Sequence, residues 1–149
     1  MGILNYSTTV PSHRSAGEIA GRLAKHGALA VTTRYAVGQA AQPAAIAFSI
    51  NTEYGPRSFD LPANPDGVYK AMNRDRSVPP RYRSRDQADR VAWRILKDWV
   101  EAQLALIEAG LSTLDTVMLP YMVTATGRTL AMEYRESVGM RKAIEGNST

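Results

Sequence analysis

Residues 28–61, ALAVTTRYAVGQAAQPAAIAFSINTEYGPRSFDL, decide the fold of this chain. Apolar and β-branched side chains alternate with small or polar ones through much of this stretch, which is the two-residue period of half-buried strands. The connections are short, so neighbouring strands must run antiparallel and form a three-stranded meander. We predict, in chain order, a strand at about 28–37, a loop at 38–43, a strand at about 44–54, a turn at Gly55-Pro56 and a strand at 57–61.

Helical periodicity flanks the strands on both sides. Ser15 and Glu18 have the spacing of a capping box, which opens a first helix. Ser84 and Gln87 repeat that spacing before the longest apolar run, which Gly110 ends. We predict a helix at about 16–26, a short helix around 68–72, a long helix between 84 and 110, a short helix from 112 that Pro120 ends, and a final polar helix at 128–144.

These elements predict an α+β fold, in which helices pack on one face of a small antiparallel sheet. A chain of 149 residues is the size of one domain. We expect the core to span about 16–123, followed by the C-terminal helix. Three strands leave two open sheet edges, and proteins cover or pair such edges.

The long helix is apolar around much of its circumference, which is typical of a helix buried on more than one side. We expect one of its faces to contact the sheet. In that packing Ala92, Ile95 and Trp99 lie against the strand residues Ile46, Phe48 and Ile50. The remaining apolar surface, together with the open sheet edges, predicts a homo-oligomer.

Composition excludes several classes of protein. The chain has no cysteine, so it holds no disulfide, thiolate metal site or cysteine nucleophile. No apolar run is long enough to span a bilayer, and the first residues lack the apolar core of a secretory signal. The two histidines, His13 and His26, lack partners at metal-ligand spacing. We therefore expect a cytoplasmic protein without membrane contact, enzymatic activity, metal or cofactor.

Positive charge is concentrated in one window of the sequence. Residues 69–98 hold nine basic and four acidic residues, a net charge of +5, whereas the rest of the chain carries −1. Seven of the nine basic residues are arginine, whose guanidinium suits forked contacts with phosphate. The window spans the predicted start of the long helix, where the helix dipole already disfavours cations and favours anions.

The window predicts a binding site for a multiply charged anion. Tyrosines stand among the arginines, a pattern typical of stacking platforms for unpaired bases. The alternative is a solvated basic surface that serves only solubility. The candidate binding residues are Lys70, Arg74, Arg76, Arg81, Tyr82, Arg83, Arg85, Arg90 and Arg94.

The run VAWRILKDWVEAQLALIEAGLSTLDTVMLPYM (91–122) resembles small phage and prophage proteins of unknown function. The predicted order of elements over about 16–110 is similar to the core of the Rad52/RecT-like single-strand annealing proteins. This resemblance implies binding of single-stranded DNA along a basic groove beside a β-β-β-α core. It also implies assembly into rings or filaments, in the host cytoplasm if a phage encodes the protein.

Three functions are therefore open at this point. The first is a non-catalytic, oligomeric protein that binds and anneals single-stranded DNA. The second is a protein that sequesters small phosphorylated or cyclic nucleotides and so counters host defence, with the same arginines lining a compact pocket. The third is a structural or regulatory module whose basic segment binds an acidic protein. Steep salt dependence would distinguish the first function from the second.

Overall fold

The computed structural model describes residues 2–146, with the side chains of residues 39–41 and 140–145 left out of the description. It confirms the predicted α+β class. Its helices and strands are α1 (Ser12–Lys25), β1 (Ala30–Ala36), β2 (Gln39–Thr52), β3 (Gly55–Pro62), α2 (Pro65–Arg74), α3 (Arg85–Glu108), α4 (Leu114–Val117) and α5 (Leu130–Gly146). Two 3-10 turns lie at Pro80–Tyr82 and Leu119–Tyr121.

The three strands form an antiparallel sheet in the order β1-β2-β3, as the alternating pattern predicted. The predicted loop at 38–43 is wrong, because β2 already begins at Gln39. Val37 and Gly38 make a two-residue turn, and Gly38 supplies the positive φ of 76° that this turn needs. The second turn lies at residues 53–54, so Gly55-Pro56 belongs to β3.

Helix α1 begins at Ser12 instead of residue 16, so the predicted capping box at Ser15 is wrong. Pro11 precedes the first helical residue, and its fixed φ suits the chain entry into a helix. Ser15 lies within the helix and is fully buried beside the core residues Ala16 and Ile19. Packing against the sheet therefore determines which residues of this segment become helical.

Both predicted ends of helix α3 are confirmed. The Ser84 hydroxyl accepts a hydrogen bond from the backbone N–H of Gln87, and Gly110 follows the C-cap with φ of 75°. The predicted sheet-facing residues need correction. The core cluster that holds Ile46, Phe48 and Ile50 contains Trp93, Val100 and Leu104 of α3.

Trp93 is fully buried, and its indole N–H donates to the carbonyl of Pro43 at 3.1 Å. Trp99 is only half-buried and lies edge-on to Tyr121, with ring centroids 5.9 Å apart. Six residues separate the two indoles, which places them on different sides of the helix. The α3 residues buried in the cluster with the strands are therefore Trp93, Val100 and Leu104. Trp99 packs against the same cluster at its margin, whereas Ile95 does not.

The second apolar side of α3 is covered within the chain. Helix α2 packs on it, and Met72 and Val78 form a second core cluster with Ala88 and Val91. Ile95 packs against this cluster instead of the sheet. The apolar surplus on α3 therefore gives no support to self-association.

The C-terminal segment lies beside β3. Met122 pairs with Phe59, and the backbone N–H of Val123 donates to the Ser58 carbonyl at 2.8 Å. Helix α5 then runs over Leu130–Gly146, close to the predicted 128–144. Every described helix is too short or too polar to cross a membrane.

Candidate nucleic-acid interface

Helices α2 and α3 and the connection between them carry all nine candidate residues. Asn64 starts α2 by accepting the Gly67 N–H at 2.9 Å, and Ser84 starts α3. Pro79 and Pro80 in the connection enter a 3-10 turn, which suits their fixed φ. The structure divides the candidate residues between internal contacts and exposed positions, so they do not form one continuous site.

Arg94 belongs to the contact between α1 and α3. Two guanidinium nitrogens of Arg94 donate to Glu18 Oε2 at 2.8 and 3.2 Å, and the Arg94 side chain is only 13% exposed. One turn further on, Lys97 Nζ lies 2.9 Å from Glu101 Oε1. The Arg94–Glu18 pair joins α3 to α1, whereas Lys97 and Glu101 both lie on α3. Arg94 is therefore not available to a ligand.

Arg83 and Arg90 are also engaged within the chain. Arg83 donates to the backbone carbonyls of Val78 at 2.9 Å and Asp75 at 3.1 Å, which holds the connection between α2 and α3 in shape. Arg90 donates twice to the Gln87 side-chain oxygen, at 2.8 and 3.0 Å. Both arginines are half-buried. Their charges stay in place, but their donors are largely occupied.

Arginines of the basic window lie over both of its tyrosines. The Arg81 guanidinium lies 4.7 Å from the ring centroid of Tyr82, and Arg85 lies 4.5 Å from that of Tyr69. Tyr6 meets Tyr82 edge-on at 5.5 Å. The guanidiniums therefore occupy part of the tyrosine ring surface on which we predicted that bases would stack. A base could stack on the exposed plane of the guanidinium instead.

Arg85 is exposed but is partly neutralised by Asp66, at 3.1 Å. The remaining four cations are exposed, and within the described part of the chain none of them forms a salt bridge. We call them the α2 basic surface: Lys70, Arg74, Arg76 and Arg81.

One acidic residue lies within the α2 basic surface in sequence. Asp75 accepts hydrogen bonds from the hydroxyl of Ser77 at 2.6 Å and from its backbone N–H at 3.0 Å. These bonds lower the pKa of Asp75 and keep it ionised at neutral pH. The segment from Lys70 to Arg81 thus carries four positive charges and one negative charge.

Sequence reasoning missed two cavities that flank the start of α3. Their volumes are about 460 and 440 Å³, and Gln42, Asp86 and Asp89 line both. In sequence, these two aspartates have the pattern of ordinary residues at a helix N-terminus. Arg90 lines the first cavity and Arg85 the second, so each cavity has one guanidinium and at least two carboxylates. This excess of negative charge disfavours the multiply charged anion that the helix dipole would attract.

Asp89 has an unusual environment between these cavities. It is half-buried, and the Ser12 hydroxyl donates a short hydrogen bond to it. Burial raises the pKa of Asp89, the Ser12 bond opposes that rise, and the charge of Asp86 adds to it. Within the described residues, no group of three or more acidic or histidine side chains could hold a metal ion.

No family model matches the chain, and neither a curated protein nor a solved structure is significantly similar to it.

Proposed function

We propose that this protein binds single-stranded nucleic acid without catalysis, through the α2 basic surface. The observation that carries this proposal is the set of four exposed cations on one helix and its connection, with no salt-bridge partner in the described part of the chain. Cations of this kind attract a phosphate backbone and release its condensed counterions, which supplies most of the affinity in sequence-independent binding.

Single strands fit this surface better than a small phosphorylated molecule. The exposed Arg81 guanidinium rests on Tyr82 and offers a flat, charged plane to an unpaired base. A compact nucleotide pocket would need cations inside a cavity. Each of the two cavities beside α3 has a single arginine, Arg90 in one and Arg85 in the other, and at least two aspartates, so neither concentrates positive charge. Annealing of complementary strands, as part of phage recombination, is what the resemblance to single-strand annealing proteins adds to this proposal.

Fluorescence anisotropy with a labelled oligothymidine tests the proposal over a series of salt concentrations. The variant K70Q/R74Q/R76Q/R81Q should bind more weakly, and its log–log salt slope should fall by about 0.7 for each phosphate that it no longer neutralises. The control is R14Q/K25Q/R57Q/R135Q, which removes an equal number of positive charges elsewhere, one of them, that of Arg14, from an ion pair with Glu18. We expect that control to keep most of the slope.

The measurement has two outcomes that contradict the proposal. The parent protein could show no affinity for the oligothymidine at low salt, or both quadruple variants could lose the same slope. Equal losses would mean that only the net charge of the protein acts. Saturation by one nucleotide per chain, with a shallow salt slope, would favour the nucleotide-sequestering alternative instead.

A further inference from the structure

Strand β1 lies at one edge of the sheet and pairs only with β2 among the described residues. Its other edge therefore presents backbone N–H and C=O groups that another strand can bind. The register between β1 and β2 shifts at two points. At both points the extra, unpaired residues belong to β2, so β1 has no bulge of its own. This leaves a seven-residue edge from Ala30 to Ala36.

Edge strands in monomeric proteins are guarded by charge or by cover, and β1 has little of either. Its single charged residue, Arg34, reaches across the outer face of the sheet to Asp60, with an N–O distance of 2.8 Å. That ion pair neutralises the charge that would repel a second strand. Tyr35 remains 47% exposed on the same edge.

The far edge of β3 is different, because the C-terminal segment covers part of it. Met122 pairs with Phe59, and Val123 donates to the Ser58 carbonyl. A β1-to-β3 contact between copies would repeat into a filament, but this cover obstructs it. The free edge of β1 can instead pair with the same edge of a second copy. Such a two-fold contact gives a closed dimer and does not extend into a filament.

The side chains of β1 complement each other in such a pairing. With a two-fold axis at Thr33, each Val31 lies opposite Tyr35 of the partner subunit, and each Thr32 lies opposite Arg34 of the partner subunit. Aromatic with β-branched pairs and threonine pairs both stabilise antiparallel strands.

We infer that β1 is a homodimer interface, in which two copies pair antiparallel about Thr33 and join their sheets into one of six strands. This inference goes beyond the proposed function and does not rest on it. It also differs from the ring or filament that the resemblance implies. A two-fold contact pairs the free β1 edges of both copies with each other, so no β1 edge is left to bind a third copy.

Light scattering of the full chain after size-exclusion chromatography tests the inference. We expect twice the 16.3 kDa mass of the chain at micromolar concentration. T33K and T33E should each be monomeric, because like charges would face each other across the axis. An equimolar mixture of the two should restore the dimer. N51K is the control on the central strand β2 and should stay dimeric.

A cysteine variant checks the register even if the charged variants fold poorly. The natural chain has no cysteine, so T33C carries a single thiol. Directly opposed residues of antiparallel strands lie within disulfide distance of each other. Oxidised glutathione should therefore link T33C, but not N51C, into a covalent dimer.

A monomeric parent, or a T33C variant that does not cross-link, would overturn the inference. A dimer that T33K leaves intact would also overturn it, because the interface would then lie elsewhere. These outcomes are independent of the oligothymidine titration, so the dimer inference and the proposed function can fail separately.

Discussion

The guanidinium of Arg94 donates two hydrogen bonds to Glu18, across the contact between α3 and α1. Seventy-six residues separate these partners in sequence. The same carboxylate lies 3.6 Å from Arg14 and 3.9 Å from Lys97, so it is surrounded by cations. A residue of the basic window thus stabilises the packing of two helices, and its charge is balanced inside the protein.

Replacing Arg94 should therefore weaken folding far more than replacing Arg81. We expect R94Q to lower the free energy of unfolding by about 1–3 kcal/mol, because it removes a charged hydrogen-bond partner from a poorly exposed site. R81Q should change it by less than about 0.5 kcal/mol, the usual range for exposed positions. Urea denaturation monitored by circular dichroism measures both, and equal losses would contradict the assignment.

Arg83 should also prove structural, although its sequence context predicts a solvated loop. R83A leaves the carbonyls of Asp75 and Val78 without their donor. We expect a loss of about 1–3 kcal/mol in unfolding free energy, as is usual for hydrogen bonds to a charged group. R76A, an exposed arginine in the same connection, is the control. Limited proteolysis should show faster cleavage between α2 and α3 in R83A only.

Local patterns predicted the sheet, both ends of α3 and the order of the elements. Alternation along β1 and β3 and the hydrogen bond from Gln87 to Ser84 depend on residues close in sequence, so one chain segment is enough to identify them. Local patterns did not predict the residue at which α1 begins. Ser15 has the residue type of a cap, but burial in the core removes it from that position.

The candidate site was predicted less well, because charge pairing is a long-range property. The sequence shows nine basic residues in one window, but not that Glu18, which lies 76 residues away, neutralises Arg94. The two aspartates at the start of α3 are also separated from Ser12 and Gln42 by more than forty residues. Only the folded chain shows that these residues line common cavities.

Trp93, and not Trp99, should be the tryptophan on which stability depends. W93A removes a fully buried ring and leaves the Pro43 carbonyl without its donor, so we expect a loss of about 3–5 kcal/mol. W99A should cost about 1–2 kcal/mol, since its half-buried ring removes less apolar area from water.

Acrylamide quenching gives a separate test of the same assignment. In W99F the remaining Trp93 should be protected from quenching, whereas in W93F the remaining Trp99 should be accessible. The reverse order of stability or of quenching would restore the face that periodicity alone predicted.

The contributions of Asp89 and Glu101 to the free energy of unfolding should change with pH in opposite directions. Burial raises the pKa of Asp89, so its contribution to folding is complete at acid pH and is lost as the pH rises through that raised value. The hydrogen bond and charge of Lys97 lower the pKa of Glu101, so its contribution is present above the ordinary pKa and is lost as the pH falls.

D89N keeps an oxygen that can accept from the Ser12 hydroxyl but cannot ionise, so it should gain stability relative to the parent between about pH 3 and pH 7. E101Q should lose stability relative to the parent over the same range, because Lys97 and Arg22 then face a neutral amide. Urea midpoints at several pH values measure both differences. Two variants whose differences from the parent change in the same direction would contradict the assigned environments of these carboxyl groups.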